Sequence, residues 1–330
     1  MIIAGDIGGT KTNVALFEAE GDSLGNIVVQ QSFPSGKYDS LEAILGEFVA
    51  AHKPEQQITH ACFGVAGPVA AGRVETPNLA WKVSAATLAE TIGVSTVGLI
   101  NDLEATAFGI EVLKPEQFHT LNEGDPTREG HRALIAAGTG LGMAGIFFDG
   151  RHYHPIASEG GHTDFAPRDE REYELLKYLQ EKLNGHVSYE RVLSGPGLFN
   201  IYSFLRDRGY YEEPQWLADE IASGDRTAPV SRAGLEGRVE IAVKALEMFV
   251  EIYGAMAGNL ALIMKAFGGL YVGGGIAPKI LEKLKDGTFM RTYRDKGRMS
   301  GLVESMPVRV ILDDKTALYG AARCALLQTS

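Results

Sequence analysis

The chain has 330 residues and a formal net charge of -11, with 45% apolar and 22% charged residues. This length accommodates two domains of ordinary size, and the composition is that of a soluble globular protein. The acidic excess argues against a nucleic-acid-binding surface, because affinity for phosphate backbones depends on clustered Lys and Arg. The two cysteines, Cys62 and Cys324, are too few for a disulfide framework and lack the paired spacing of a zinc site.

The opening stretch, residues 2–17, predicts a β-hairpin folded over a glycine turn. Two apolar runs flank Gly8, Gly9 and Thr10, a pattern typical of antiparallel strands joined by a tight turn. The glycines can adopt backbone angles closed to other residues, so that successive N–H groups point into one concavity that suits an anion. Asp6 precedes the turn, where its carboxylate can hold a hydrated divalent cation against a phosphate. The alternative is a plain Gly-Gly hairpin with a solvated Asp.

The rest of the first half predicts an α/β domain in which strands and helices follow one another. Strands are predicted at 26–33 and 58–65, and Ser40 can cap a helix that lies between them. The stretch 76–81 is interpreted as an ordered loop with polar side chains, and a helix follows near 85–92.

A short apolar strand, 97–100, ends at Asn101 and Asp102 and is followed by a helix predicted over 103–113. Ligands collect at the carboxyl ends of strands in open α/β sheets. A carboxylate beside an amide suits the recognition of hydroxyl groups, because Asp accepts a proton or hydrogen bond while Asn offers both a donor and an acceptor. The alternative is that the two residues cap the helix, and both roles can coexist.

The stretch 133–148 repeats the plan of the opening hairpin, with Gly138, Thr139 and Gly140 in its turn. Two hairpins of this kind indicate a duplicated architecture with a phosphate held between the halves. A third glycine cluster follows a strand-like run and would let a flat base approach the backbone. It consists of Gly273, Gly274 and Gly275.

The second half is otherwise predicted to be mainly helical. Helices are expected at 169–183, 198–206, 239–264 and 316–327, loops at 122–131, 209–227 and 291–298, and a strand at 308–312. The helix at 239–264 carries charged residues, so it is interpreted as a long core helix rather than a membrane span. The terminal helix is expected to pack on the first domain.

Two further segments of the second half supply polar side chains. Glu159 and His162 flank two glycines, so both side chains can face one small ligand while the backbone approaches it closely. A zinc site is the weaker interpretation, because the spacing lacks a metal-ligand partner such as Cys. Glu190, judged by residue type alone, is an ordinary solvated helix charge.

Six ordered motifs together resemble the bacterial glucokinase family over nearly the whole chain. They are GDIGGT (5–10), LINDLEA (99–105), AAGTGLG (136–142), EGGHTDFAP (159–167), YERVLSGPGL (189–198) and GGGIAP (273–278). The resemblance implies an α/β protein with the actin-like ATPase, or ribonuclease H-like, fold, in which two α/β domains flank a nucleotide and sugar cleft. The implied domains are residues 1–112 with 313–330, and residues 113–312.

The activity implied by this resemblance is phosphorylation of D-glucose at its 6-hydroxyl by ATP with Mg²⁺, the first step of glycolysis. Asp102 is then the general base, and the sugar ligands are Asn101, Asp102, Glu159, His162 and Glu190, which replaces the solvated-charge interpretation of Glu190. The implied phosphate loops comprise Gly5, Asp6, Ile7, Gly8, Gly9, Thr10, Gly138, Thr139 and Gly140. Asp6 acts near Mg²⁺, and Gly273, Gly274 and Gly275 lie near adenosine.

Other functions are weighed against this one. A kinase of another hexose or of an amino sugar would share the fold and most ligands. A sugar-sensing repressor would need a DNA-binding module, and a chaperone-like nucleotide switch would need a substrate-binding domain, for which no residues remain. No signal peptide is recognised, so a cytoplasmic enzyme without nucleic-acid or membrane partners is expected. A homodimer is expected because two-fold homodimers are the commonest assembly.

Overall fold

The protein is represented by a computed structural model that describes residues 1–21, 23–52, 54, 56–76 and 79–328. The predicted loop at 76–81 includes Pro77 and Asn78, which lie outside the described residues. The strands are β1 Ile2–Ile7, β2 Lys11–Glu20, β3 Ser23–Pro34, β4 His60–Val65, β5 Arg73–Glu75, β6 Lys82–Ser84, β7 Gly98–Asn101, β8 Phe118–Asn122, β9 Arg132–Ala137, β10 Leu141–Phe148, β11 Tyr153–Ser158, β12 Gly269–Gly273 and β13 Val308–Ile311.

Helices connect and cover these strands. The α-helices are α1 Leu41–His52, α2 Ala85–Ile92, α3 Asp102–Gly109, α4 Glu170–Leu183, α5 Gly195–Asp207, α6 Gln215–Ala222, α7 Thr227–Leu235, α8 Glu240–Met264, α9 Leu281–Lys285, α10 Thr288–Arg294, α11 Ser300–Glu304 and α12 Thr316–Leu327. The chain divides into two compact units. The first unit is Met1–Pro115 with Asp313–Ser330, and the second unit is Glu116–Leu312.

The first unit is built on a five-stranded sheet in the order β3-β2-β1-β4-β7. Strand β1 runs antiparallel to β2 and parallel to β4. Side chains alternate between the two faces of a strand, so Ile3 and Ile7 join the core that contains Leu41 of α1. Ile2 on the other face joins the core that contains Leu318 of α12. The sheet is therefore buried on both faces, and the terminal helix covers one of them, as predicted.

Two glycines allow α3 and α12 to approach closely. A Cβ atom on Gly320 of α12 would overlap the carbonyl oxygen of Ala105 in α3, and one on Gly109 of α3 would overlap the carbonyl oxygen of Thr316. Only glycine permits backbones to come this near to each other. The contact places the start of α3, and with it Asp102, against the sheet of the first unit.

The second unit repeats the same sheet plan and adds one strand. Its order is β11-β10-β9-β12-β13-β8, in which β9, β10 and β11 are antiparallel neighbours while β12 lies parallel to β9. The first five strands of this order match the pairing in the first unit. The duplicated architecture predicted from the two glycine hairpins is therefore confirmed at the level of sheet topology.

Helix α8 forms the centre of the second unit's core. Among the described residues it is the one helix whose length and composition would allow it to span a membrane. Most of its apolar side chains, including Phe249, Tyr253 and Ala257, are buried inside the protein. The predicted core helix is confirmed.

Three predictions about local structure were wrong. The helix expected over 103–113 ends at Gly109, because the N–H groups of Glu111 and Val112 bond three residues back and tighten the chain into turns. The polar stretch 209–227 contains α6, whose Leu217 and Ile221 are buried at the four-residue spacing of a helix face. The basic stretch 291–298 begins inside α10, which buries Phe289 and Tyr293 at the same spacing.

Candidate active site

The turn of the first hairpin forms between β1 and β2, as the sequence predicts. The Gly8 N–H donates to the Lys11 carbonyl at 3.0 Å and closes the turn, which leaves Thr10 exposed. The φ of Gly8 is not positive, so this glycine does not use the left-handed conformation that is open to it. A Cβ atom there would lie 3.0 Å from the Lys11 carbonyl oxygen. A side chain at this position would therefore force the Lys11 carbonyl to shift by a few tenths of an ångström.

Two buried hydroxyl groups support this turn from the protein side. Ser35 lies in a short 3-10 helix, Ser35–Lys37, directly after β3. Its Oγ donates to the Gly8 carbonyl at 2.7 Å and lies 3.0 Å from the Oγ1 of Thr12. Its backbone N–H donates to the Thr10 carbonyl at 3.0 Å. Sequence reasoning missed Ser35, and no local signal distinguishes it from other serines in turns.

The residues predicted to precede the turn lie in different environments. Gly5 is inside β1, where a Cβ atom would lie 2.6 Å from the Phe63 ring. The Ile7 side chain is buried in the core, and its carbonyl accepts a hydrogen bond from the Ala66 N–H at 3.2 Å. These two residues support the strand, so any contact of Ile7 with a ligand is restricted to its backbone.

Asn101 and Asp102 lie at the junction of β7 and α3, at the carboxyl end of the strand. Asn101 is the N-cap of α3, and its Oδ1 accepts a hydrogen bond from the Leu103 N–H at 2.9 Å. Its Nδ2 donates to the Gly67 carbonyl at 3.1 Å. The Oδ1 of Asp102 also accepts from the Leu103 N–H at 2.9 Å. The capping alternative is thus correct for Asn101, and the cap holds the neighbouring Asp102 carboxylate in place.

Asp6 carries an unusual charge environment within the first unit. Burial, followed by repulsion from Asp102, raises the pKa of Asp6 to about 6, although Asn13 and Lys11 oppose the rise. The Asp314 carboxylate adds a smaller repulsive contribution. Gathering carboxylates in one place is costly without a cation. Asp6 is therefore the candidate carboxylate for a hard divalent cation such as Mg²⁺, which binds one or two carboxylates together with waters and substrate phosphates.

The turn of the second hairpin leads to the start of helix α5. The Gly138 N–H donates to the Gly140 carbonyl at 2.8 Å, and the Gly138 carbonyl accepts from the Gly195 N–H at 2.8 Å. Ser194 caps α5, which begins with a Ser-Gly-Pro sequence. The prediction started this helix three residues later, although Ser followed by Pro in the first turn is a recognised start signal.

The backbone of Leu141 is where the second turn meets the predicted sugar ligands. Its N–H donates to the Oε2 of Glu190 at 3.0 Å. A Cβ atom on Gly161 would overlap the Leu141 carbonyl oxygen, so this glycine packs directly on the same residue. Glu190 is partly buried and hydrogen-bonded. The solvated-charge interpretation of Glu190 is therefore wrong.

Glu159 directly precedes the short 3-10 helix Gly160–His162, and His162 is the last residue of that helix. Their side chains are exposed, with 76% and 58% of their surfaces accessible, and His162 Nε2 lies 3.9 Å from Glu159 Oε2. The adjacent Thr163 carbonyl accepts a hydrogen bond from the Tyr189 N–H at 2.9 Å, which joins this segment to the one carrying Glu190. The structure thus brings the segments of Glu159, His162 and Glu190 together beside the second turn. Among the described residues, no group of three His, Cys, Asp or Glu side chains could hold a metal ion.

The third glycine cluster also meets the second hairpin. Gly273 ends β12, and Gly274 adopts a φ of +82°, where a Cβ atom would overlap the Ala137 carbonyl oxygen. The Ile276 N–H donates to the Ala137 carbonyl at 3.1 Å. This hydrogen bond and the close packing of Gly274 place the exposed Gly275 beside the turn that contains Gly138.

A groove of about 660 Å³ lies between these segments of the second unit. It is lined by Gly138, Thr139, Gly195, Pro196, Leu198, Asp225, Thr227, Ala228, Ser231, Arg232, Gly275, Ile276 and Lys279. Its volume is in the range of small-molecule sites. Sequence reasoning missed the contribution of α7 to this groove, because nothing near residue 227 resembles a binding motif.

Comparisons with known proteins agree with this architecture. The model of the family described as Glucokinase matches residues 3–328. A glucokinase of Nostoc punctiforme is 41% identical over 98% of this chain and 98% of its own, and one of Synechocystis is 41% identical over 98% and 97%.

Solved structures show the same fold. A crystal structure of glucokinase from an Antarctic psychrotroph is 30% identical and has a TM-score of 0.86, covering 100% of this chain and 99% of that one. A ROK family glucokinase from Streptomyces griseus, solved with glucose and AMPPNP, is 22% identical with a TM-score of 0.63 over 98% of both chains. The fold is that of the actin-like ATPases, as predicted. With its family match over nearly the whole length, the chain belongs to the glucokinase family.

Proposed function

We propose that this protein transfers the γ-phosphoryl group of ATP to the 6-hydroxyl of D-glucose, giving glucose 6-phosphate and ADP in the first step of glycolysis. Family membership supports the reaction class. The observation that carries the assignment to particular residues is the hydrogen bond between Glu190 and the Leu141 N–H. It joins a carboxylate suited to sugar hydroxyls to a glycine turn suited to phosphate.

The protein's task in phosphoryl transfer is to align the attacking oxygen with the phosphorus and to neutralise charge. In the first unit, Asp102 accepts the proton of the 6-hydroxyl as the oxygen–phosphorus bond forms. The capped start of α3 suits this role, because Asn101 and the Leu103 N–H restrain the carboxylate beforehand. Asn101 retains a second amide hydrogen and a second lone pair for a sugar hydroxyl.

In the second unit, Glu159, His162 and Glu190 bind the remaining sugar hydroxyls. Their exposed or partly exposed side chains lie on segments tied to one another by backbone hydrogen bonds. Charged acceptors make strong hydrogen bonds to hydroxyl groups, at about 1.5–3 kcal/mol each. A site of this kind rejects a sugar that lacks or misplaces a hydroxyl, because the protein groups are then left unpaired.

The nucleotide binds through backbone groups of the glycine turns. Gly8, Gly9 and Thr10 of the first turn and Gly138, Thr139 and Gly140 of the second turn contact the phosphates. The groove beside Gly273, Gly274 and Gly275 takes the adenosine, since it is large enough and borders the second turn. Asp6 would help to hold Mg²⁺, and the bound ion would neutralise charge on the phosphates.

An assay of ADP release over a panel of sugars tests the proposal. Purified protein with Mg·ATP is expected to release ADP with glucose and much more slowly with mannose, fructose and N-acetylglucosamine. Chromatographic identification of glucose 6-phosphate checks the position of phosphorylation. Faster turnover with fructose or an amino sugar would favour the alternative kinase, and ADP release that is independent of any sugar would refute the proposed function.

The assembly and location of the enzyme are part of the proposal. We expect a cytoplasmic homodimer, since two-fold dimers are the commonest assembly of soluble enzymes. Sedimentation equilibrium across a tenfold range of concentration distinguishes a dimer from a monomer of 35.5 kDa.

A further inference from the structure

The turn of the first hairpin is held by one buried serine that is distant in the sequence. Ser35 binds two carbonyl groups of the turn, that of Gly8 through its hydroxyl at 2.7 Å and that of Thr10 through its N–H at 3.0 Å. It has no solvent-accessible surface, and it lies 27 residues after Gly8. A buried hydroxyl that binds a turn from inside the protein restricts the orientation of the turn's peptide groups.

The hydroxyl of Thr12 fixes which group donates in the hydrogen bonds of Ser35. Thr12 Oγ1 lies 3.0 Å from Ser35 Oγ and is also fully buried. A carbonyl oxygen only accepts, so the single hydroxyl proton of Ser35 is committed to Gly8. Thr12 must therefore donate to Ser35. The result is an oriented chain from Thr12 through Ser35 to the Gly8 carbonyl, in which each hydrogen bond polarises the next.

The geometry of the peptide bond transmits this contact to the exposed side of the turn. Among the described residues no peptide bond is cis. In a trans peptide group the C=O of one residue and the N–H of the next point in opposite directions. Holding the Gly8 carbonyl toward buried Ser35 therefore directs the Gly9 N–H away from the protein interior. The outward N–H is the kind of donor that binds an anion.

We propose that Ser35 is a positioning residue for the nucleotide, which aims the Gly9 N–H at a phosphate of bound ATP. Thr12 acts through Ser35 as the donor that orients its hydroxyl. This inference rests on the proposed function only in taking ATP as the ligand of the turn. Ser35 and Thr12 thus affect nucleotide affinity separately from any effect they have on the stability of the fold.

Three variants and one control test the proposal. Ser35→Ala removes the bond to Gly8, Thr12→Val removes the donor that orients Ser35, and Ser35→Thr keeps a hydroxyl for rescue. The control is Ser203→Ala, because Ser203 is buried and its hydroxyl has no partner within the described part of the chain. Binding of a non-hydrolysable ATP analogue with Mg²⁺ is measured by titration calorimetry, and the KM values for ATP and glucose are measured by ADP release.

The expected result is a selective loss of nucleotide affinity. Ser35→Ala weakens analogue binding and raises the KM for ATP by about tenfold, the effect of losing one well-aligned hydrogen bond. Thr12→Val shows a smaller change of the same kind. Ser35→Thr restores affinity, the control matches the wild type, and the KM for glucose changes less than threefold in all four variants.

Two results would overturn the inference. The first is that Thr12→Val binds the analogue as tightly as the wild type does, while Ser35→Ala either binds it equally tightly or fails to fold. The other is an equal loss of glucose and nucleotide affinity that follows the fall in melting temperature, which indicates a merely structural role. Calorimetry with the analogue does not need phosphoryl transfer. If the wild type binds the analogue but does not phosphorylate glucose, the proposed function fails. The analogue affinity of Ser35→Ala relative to that of the wild type then still decides the role of Ser35.

Discussion

The Glu190 carboxylate accepts a hydrogen bond from the Leu141 backbone N–H at 3.0 Å. This contact joins a predicted sugar ligand to the turn that holds Gly138, Thr139 and Gly140. A Cβ atom on Gly140 would lie 2.5 Å from Glu190 Oε2, so the turn and the carboxylate are also packed against each other. Changes at Glu190 therefore affect both the sugar and the turn, and two substitutions separate the effects.

Glu190→Gln is expected to weaken glucose binding while leaving the turn intact. The amide oxygen can still accept the Leu141 N–H, but the negative charge that strengthens sugar hydrogen bonds is lost. The KM for glucose should rise by about 10-fold to 100-fold, with the KM for ATP within about threefold of wild type. Glu190→Ala should raise both values. The exposed carboxylate of Glu212 gives the matched control Glu212→Gln, and an unchanged glucose KM in Glu190→Gln would contradict the sugar-binding role.

Asp102→Asn is expected to reduce turnover without preventing sugar binding. Its oxygen can still accept the Leu103 N–H, so the start of α3 is preserved, but an amide cannot take the proton of the 6-hydroxyl. We expect kcat to fall by about 10²-fold to 10⁴-fold, as for loss of a general base. Glucose affinity, measured by calorimetry, should be partly retained. Glu90→Gln removes an exposed carboxylate of the same unit as a control, and wild-type kcat in Asp102→Asn would refute the role of Asp102.

Asp6→Asn is expected to stabilise the protein without nucleotide at neutral pH. Because the pKa of Asp6 rises from 3.8 to about 6 on folding, the folded state binds the proton more tightly than the unfolded state. This contribution to stability is complete below pH 4 and is lost as the pH rises through 6. The difference corresponds to at most about 3 kcal/mol, and solvent screening reduces it to about 2 kcal/mol.

The measurement for Asp6 is the free energy of unfolding by urea across pH 4 to 8. Asp6→Asn should exceed the wild type at pH 8 and match it at pH 4, while losing activity that depends on Mg·ATP. Asp39→Asn, which removes an exposed carboxylate of the first unit, is the control. Equal stabilities of Asp6→Asn and wild type at pH 8 would show that Asp6 carries no electrostatic strain.

Gly320→Ala and Gly46→Ala should have opposite effects on the stability of the first unit. The new methyl group at 320 would overlap the Ala105 carbonyl, forcing α12 from α3 at a cost of about 1–3 kcal/mol. Position 46 is exposed in α1 with nothing within 4 Å, so alanine there should stabilise the helix by about 0.5–1 kcal/mol. The melting temperatures of the two variants and the wild type, measured by calorimetry, show whether each substitution raises or lowers stability. A neutral Gly320→Ala would mean that the two helices can separate freely.

Much of this protein is determined by short-range patterns in its sequence. Alternating apolar residues around a glycine turn predict both hairpins, because strand pairing and turn chemistry are local properties. Asn101 and Asp102 are recognisable for the same reason, as a strand end followed by a helix cap. The ordered motifs also identify the family, and the matching sheet orders confirm the duplicated plan.

Other features are decided only by tertiary structure. Ser35 supports a turn 27 residues away, and Glu190 binds the N–H of a residue 49 positions earlier. Neither partner is visible in a local pattern, and residue type alone assigned Glu190 to solvent. The polar stretch that became α6 was misjudged because burial of Leu217 and Ile221 depends on the core they reach. Local patterns determine strands, turns and caps, whereas side-chain partners require the folded chain, because hydrogen bonding and burial join residues that only the fold brings together.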